Sequence, residues 1–218
     1  MIWDWQYALG VLPSMLRAFV VTLEATLAGF VLAVLVGLLW ATLRMAPVRV
    51  VARGAFWIVE FVRSTPLLIQ LYFLYYVLPE YGVALSPLMI GILALGLHYS
   101  CYTAEVYRAG IEAVPAGQWE AARALNLSPA STWLRIILPQ ALPPTFPMLG
   151  NYLIAMFKDT PLLAAITVME MLQTAKLIGA ESFRYLEPLT ITGAVFLFVS
   201  LIASYAVRRL EVRHAIRR

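Results

Sequence analysis

The stretch Gln118-Trp119-Glu120-Ala121-Ala122-Arg123-Ala124-Leu125, followed by Asn126-Leu127-Ser128-Pro129, stands between two long apolar runs. Strong helix formers fill its first half, with Glu120 near the start, where the helix dipole favours an acid. Pro115-Ala116-Gly117 interrupts the helix before it. Asn126 falls where a short helix ends on a left-handed residue, a position that takes Gly best and Asn next. Ser128 then offers a cap for a second helix, and Pro129 suits its first turn. The spacing predicts a short helix, a turn and a second helix, in a connection running from Glu112 to roughly Pro139.

Outward from this connection the chain is membrane-like. Its 218 residues are 62% hydrophobic and 13% charged, where a soluble domain carries about a quarter charged residues. Five stretches reach the roughly 20 apolar residues that cross a bilayer, at about 15–43, 55–78, 87–107, 142–171 and 186–207. The fold predicted is all-α, a single transmembrane domain over 1–218 with about five spans. The second stretch is interrupted by Arg63-Ser64-Thr65-Pro66 and the fourth by Lys158-Asp159-Thr160-Pro161; the third carries His98 and Glu105.

Arginines set the orientation. Arg44, Arg49 and Arg53 follow the first span, Arg108, Arg123 and Arg135 the third, and Arg208, Arg209, Arg213, Arg217 and Arg218 the fifth. The positive-inside rule then puts the amino terminus outside and the carboxyl terminus in the cytoplasm. The opening Met1-Ile-Trp-Asp-Trp-Gln-Tyr lacks the basic region of a cleavable signal peptide, so the first span is expected to persist. The net charge of +4 follows from these membrane-flanking arginines, and no nucleic-acid partner is expected. Cys101 is the one cysteine, which excludes an intrachain disulfide.

Glu120-Ala121-Ala122, three residues, Asn126, nine residues, then Ile136-Ile137-Leu138-Pro139 resembles the signature of the permeases of bacterial binding-protein-dependent ATP-binding-cassette importers. That family has Gly where Asn126 stands. The polar amino acid branch is the nearer match, through Glu60-Phe61-Val62-Arg63-Ser64-Thr65-Pro66-Leu67-Leu68, Ala104 to Ile111, Val114 to Gln118, Pro139-Gln140-Ala141-Leu142, Asn151 and Lys158-Asp159-Thr160-Pro161-Leu162. That branch usually has Gly at Ser64 and Ser at Pro161. The resemblance runs from the second span into the fourth and is patchier at both ends. It implies that the helix around Glu120 is a coupling helix, with Gly117, Glu120, Ala121, Ala122, Asn126 and Pro139 forming the docking segment for a separate ATPase subunit. It also implies two ATPases, a second permease (identical or paralogous), a periplasmic or lipid-anchored substrate-binding protein, and a multi-pass position in the bacterial inner membrane. The cargo expected is a polar amino acid or similar small zwitterion, with compatible solutes such as ectoine left open.

Arg63-Ser64-Thr65-Pro66-Leu67-Leu68 and Lys158-Asp159-Thr160-Pro161-Leu162-Leu163 share one pattern: basic, small polar, Thr, Pro, Leu, Leu. Pro disturbs the turn before it, and Ser64 or Asp159 is placed to cap a half-helix that restarts there. Paired broken helices mark substrate sites in secondary transporters. Glu60, Arg63, Thr65, Asn151, Lys158, Asp159 and Thr160 are therefore candidate path residues, Arg63 and Lys158 for a carboxylate, Glu60 and Asp159 for an ammonium group. The competing reading pairs Glu60 with Arg63 across one helical turn and leaves Lys158 and Asp159 to packing. Glu24, within the first span, reads either as a pathway carboxylate or as a neutralised interhelical contact. His98 and Cys101 have metal-ligand spacing, but no further His or Cys is near, which favours a packed helix face. Tyr72, Phe73, Tyr75 and Tyr76 suit an outer aromatic belt or a cage for a cation, and Trp3, Trp5 and Tyr7 suit that belt or a short helix lying on it.

The chain has no G-x-x-x-x-G-K-[ST] phosphate loop, so ATP must be hydrolysed on a partner, and no cofactor held by this chain is expected. An intramembrane enzyme would need paired catalytic groups at adjacent helical positions, and the sequence has no such set. A channel or secondary carrier is the alternative function, and neither requires an ATPase-docking helix.

Overall fold

The computed structural model describes residues 2–215, without the side chains of 210 and 213–215; Met1, Arg217, Arg218 and the side chain of Arg213 thus lie outside the described residues. Its elements are helical throughout the described chain. In order they are α1 (Trp5–Arg44), α2 (Arg49–Arg63), α3 (Leu67–Tyr72), α4 (Pro87–Glu112), α5 (Ala116–Ala124), α6 (Pro129–Thr132), α7 (Leu138–Ala141), α8 (Phe146–Asp159), α9 (Met171–Ser182) and α10 (Leu186–Ala215). A π turn and a 3₁₀ turn carry α3 on to Tyr81, a π turn joins α6 to α7, and 3₁₀ turns flank α8 at Pro143–Thr145 and Thr160–Ile166. Helices α1, α4 and α10 are each long and apolar enough to cross a membrane, and two bent pairs bring the number of spans up to five.

The core is the parallel packing of α1 on α4, and small residues make it close. A Cβ added at Gly37 would lie 1.9 Å from Thr103 Oγ1 and 2.9 Å from the Ser100 carbonyl oxygen. At Gly96 it would meet the Leu32 side chain at 2.5 Å. Thr103 Oγ1 donates to the Ala33 carbonyl at 2.8 Å, a hydrogen bond between the two helices. Lipid tails are as apolar as Leu, so association inside a bilayer depends on such close packing and such hydrogen bonds. Gly37→Leu should force the helices apart and cost about 1–3 kcal/mol, read as a lower unfolding midpoint in detergent. Gly54→Leu, at a position open on α2, should leave the midpoint unchanged. Equal midpoints for the two variants would contradict this packing.

The second span is broken where the sequence predicts, between Arg63 and Leu67: α2 is bent by 99° from the helix that follows. Pro66 adopts φ −58° and ψ 135°, an extended conformation that stops one helix and aims the next. Ser64 closes α2 and makes no side-chain cap for α3. The carbonyls freed at the joint are taken by Gln70 instead: its Nε2 donates to Val62 O at 2.8 Å and Thr65 O at 3.0 Å. Helix α2 buries only Ala55 and Val59, while Val50, Trp57, Ile58 and Phe61 are exposed beside Arg49 and Arg53.

In the fourth span the break is displaced. Pro161 does not interrupt it, because α8 passes directly into the 3₁₀ turn Thr160–Ile166. Pro161 has no N–H to give the Phe157 carbonyl, and that oxygen accepts from the backbone N–H of Thr160 and from its hydroxyl at 2.7 Å. Asp159 caps nothing. The chain turns instead after Ile166, where Thr167 takes a left-handed φ of 65° and the next helix, α9, is bent by 48°. Glu170 caps α9, accepting from Leu172 N at 2.9 Å and Gln173 N at 2.7 Å.

Trp5 and Tyr7 belong to the first turn of α1 itself, capped by Asp4, and not to a separate surface helix. This end is clamped to the α9–α10 connection. Tyr7 Oη lies 2.5 Å from Ser182 Oγ, Asp4 N donates to Glu187 Oε1 at 3.0 Å, and Arg184 pairs with Glu187 and reaches Asp4 at 3.8 Å. Helix α9 packs Met171 and Ala175 against Met15 and Ala18 of α1.

Candidate functional site: a docking platform, an ion hub and a tyrosine cluster

The platform is the segment α5–α7. Helix α5 ends at Leu125, and Asn126 then takes φ 49°, as the turn chemistry predicts. Leu127 N donates to Ala122 O at 3.0 Å, closing the turn. Ser128 Oγ accepts from Ser131 N at 3.2 Å, with Pro129 opening α6. Ala122 is the buried residue of α5, and Trp119 packs edge-on to Trp133 at 5.3 Å. Gln140 Nε2 donates to Gln118 Oε1 at 3.2 Å, tying α7 to the start of α5. Gly117, Glu120, Ala121, Asn126 and Pro139 are exposed, and Leu125 is 73% exposed. The exposed face of this segment thus mixes small residues with Glu120, Arg123 and Leu125.

Above it lies the ion hub. Glu105 of α4 pairs with Arg44 at the end of α1, with Arg108 Nε at 2.9 Å and with Arg63 Nη1 at 3.7 Å. Arg63 also pairs with Glu60 at 3.0 Å, and Arg108 with Glu112 at 2.6 Å. One carboxylate therefore joins guanidinium groups from α1, α2 and α4. The Glu60–Arg63 pairing across one turn is the competing reading of these two residues.

Arg63 has a second neighbour. Its guanidinium carbon lies 5.3 Å from the Tyr102 ring centre. Tyr102 packs on Tyr99 at 6.1 Å and on Tyr152 at 5.7 Å, and Tyr99 Oη donates to Asp159 Oδ2 at 2.7 Å. Arg63 and Asp159 thus meet one cluster of three tyrosines, although they lie in different spans. Lys158 does not join them: it is exposed and lines a groove between α8 and α10 with Ser200 and Leu201. Thr65 donates to Phe61 O at 2.8 Å at the joint, Thr160 is buried, and Asn151 is exposed on α8.

Glu24 is exposed on α1, opposite the packed face that carries Ala18, Thr22 and Ala25. His98 Nδ1 lies 3.2 Å from Gln70 Oε1 and so holds the side chain that closes the α2–α3 joint, while Cys101 Sγ donates to Leu97 O at 3.6 Å. Tyr72, Phe73 and Tyr76 are exposed, and Tyr75 Oη reaches Thr167 Oγ1 at 3.4 Å. Sequence reasoning missed Gln70 and the Tyr99–Tyr102–Tyr152 set. A lone amide four residues after Pro66, and tyrosines three apart on one helix face, were the available signals.

The fold is shared with known transporters. Residues 29–215 match the family described as the binding-protein-dependent transport system inner membrane component. A probable amino-acid ABC transporter permease of Sinorhizobium fredii is 48% identical over 94% of this chain and 89% of its own length. The nopaline transport system permease of Agrobacterium fabrum is 34% identical over 95% of this chain and 90% of its own. Among solved structures, a chain in the crystal structure of an amino acid ABC transporter with histidines superposes with a TM-score of 0.89 at 32% identity, covering 98% of this chain and 100% of that one.

The chain belongs to the inner-membrane permease components of binding-protein-dependent ABC importers. It is accordingly a polytopic membrane subunit that hydrolyses no ATP itself and works with a separate ATPase subunit and a substrate-binding protein.

Proposed function

We propose that this permease moves polar amino acids or closely related small zwitterions inward, through a path that includes the Arg63–tyrosine–Asp159 cluster. The observation that carries the reading is the convergence of Arg63 and Asp159 on Tyr99, Tyr102 and Tyr152. A guanidinium suits a substrate carboxylate and a carboxylate suits its ammonium group, which the rings also favour. Arg63 Nε is buried and has no hydrogen-bond partner among the described residues, so a donor is left for a ligand. The names of the relatives, amino-acid and nopaline permeases, agree with this class. Which member is carried is set largely by the binding protein.

The arginine-rich end, with α5 and the ends of α1 and α4, faces the cytoplasm, and the Trp5 end faces outward. Helix α5 with Asn126 and Pro139 docks into the ATPase subunit, and no cofactor is held by this chain. The working unit has two permeases, with the path within or between them.

Asp159→Asn tests the path. It removes a charge-assisted contact of about 1.5–3 kcal/mol, which amounts to a roughly tenfold to hundredfold loss of uptake. Uptake of labelled amino acids and ectoine by proteoliposomes containing the permease, its ATPase and its binding protein should fall by that factor, with ATP hydrolysis still stimulated by the loaded binding protein. Unchanged uptake would place the path elsewhere.

A further inference from the structure

Helix α2 brings Arg63 to the hub by one end, and the rest of it presents three distinct surfaces. At helical spacing, Ala55 and Val59 face the bundle and are buried, while Val50, Trp57, Ile58 and Phe61 share an apolar face left exposed. Arg49, Arg53 and Glu60 fall on the edge between the two. Glu60 is taken up by Arg63 at 3.0 Å. Arg44, from the end of α1, is held by Glu105, and its guanidinium carbon lies 5.3 Å from the Phe56 ring centre. Arg49 and Arg53 are exposed and make no ion pair or side-chain hydrogen bond among the described residues.

The depth and tilt of α2 follow from its neighbours. Arg63 reaches Glu105, which pairs with Arg44, so α2 lies level with the arginine-rich end of α1 and α4. Helix α8 runs from Leu149, which clusters with Ala41, to Met156, which abuts Gly29, and so heads toward the Trp5 end. Past the joint, Gln70 meets His98 of α4, and Tyr75 reaches Thr167 beyond the far end of α8. The helix that follows the bend therefore runs along the bundle, and 99° lays α2 across it. A helix in that attitude holds its whole apolar face at one depth and its charged edge just above it. The exposed apolar surface also resumes past the joint, at Ile69 and Phe73 of the membrane-crossing segment.

We propose that α2 is an interfacial helix, its exposed apolar face seated among the acyl chains at the arginine-rich end, with Arg49 and Arg53 binding the phosphates of anionic phospholipids there. The planar guanidinium matches a phosphate through two parallel hydrogen bonds. Each such cation near an anionic membrane surface raises affinity roughly fivefold. The contact anchors the helix that holds Arg63, and it stands whether or not Arg63 lines the substrate path.

The test uses the assembled transporter in nanodiscs of phosphatidylglycerol and phosphatidylcholine. Spin labels are placed by Val50→Cys or Phe61→Cys in a Cys101→Ser background, and collisions with oxygen and with a water-soluble nickel chelate give their depths. An α2 lying in the interface puts both labels at the same depth, just below the phosphates. Depths that differ by roughly 16 Å, the rise of a helix that continues the span, would overturn the proposal. So would labels open to the chelate alone, or shielded from both probes because a protein surface, a second copy included, covers the face. The headgroup contact is read separately, as quenching by the label at Val50→Cys of headgroup-labelled phosphatidylglycerol against headgroup-labelled phosphatidylcholine. Phosphatidylglycerol should be favoured about fivefold or more, and Arg49→Gln with Arg53→Gln should bring the ratio near one at an unchanged unfolding midpoint. Equal quenching of the two lipids with both arginines present would overturn the headgroup site.

Discussion

Glu120→Arg should abolish ATP-driven uptake while leaving the permease folded. Glu120 is exposed on α5, and the contacts that hold α5 in place, Ala122, the Trp119–Trp133 packing and the Gln118–Gln140 hydrogen bond, do not involve it. The helix itself loses only the few tenths of a kcal/mol that an acid near its start contributes. Reversing a charge inside a docking surface, by contrast, sets like charges or unpaired groups against each other at a cost of several kcal/mol. About 2 kcal/mol already lowers productive docking roughly 30-fold. The expected result is uptake reduced by at least about that factor, an unchanged unfolding midpoint, and an unchanged affinity of the binding protein for its solute. Wild-type uptake in this variant would mean that α5 does not transmit the ATPase stroke.

Glu105→Ala should be the most destabilising single change among the polar residues. Its carboxylate pairs with Arg44, Arg63 and Arg108 from three different helices. Removing it leaves three guanidinium groups facing one another with Glu60 and Glu112 as the remaining acids. Breaking a fully buried pair from one side costs about 3–5 kcal/mol. These side chains are 10–35% exposed, so water relieves part of the loss and about 2–4 kcal/mol is expected. Glu105→Gln should fall between this variant and wild type, since it keeps the acceptor and loses the charge. Thermal unfolding of the purified complex measures both. The hub also joins α2, which leads into the joint beneath the tyrosine cluster, to the ends of α1 and α4 just ahead of α5. It is therefore the physical connection through which movement of the platform would reach Arg63. A midpoint within a degree of wild type for Glu105→Ala would exclude it as a structural joint.

Local chemistry was readable in the sequence, and direction was not. The left-handed Asn126, the Ser128 cap and the Glu60–Arg63 pair depend on residues within a few positions of one another, and all three are in the structure. Hydropathy located the spans but registers only how apolar a stretch is. It could not tell that Arg49–Arg63 lies at 99° to the helix after it. Pro161 looked like a break equal to Pro66, yet the Phe157 carbonyl accepts from both the backbone N–H and the hydroxyl of Thr160, and α8 passes into a 3₁₀ turn without a bend. At Pro66 the Val62 and Thr65 carbonyls are reached by Gln70, from beyond the bend.

The candidate site was half legible for the same reason. Arg63 and Asp159 stood out as charges in apolar runs. That Tyr102 and Tyr99 connect them depends on the rotation of α4 against two other helices, which no spacing in one segment encodes. Glu105 carried no sign of its partner Arg44, 61 residues away. Lys158 matched Arg63 in pattern and faces a different groove.

The most direct test of the account is ATP dependence in a defined system. The permease would be reconstituted in proteoliposomes with its ATPase and binding protein, and accumulation of labelled amino acids followed with ATP, without ATP, and without the ATPase. The account predicts accumulation against a gradient only when all components and ATP are present. Uptake that persists without ATP or without the ATPase would contradict it and make this chain a channel or secondary carrier.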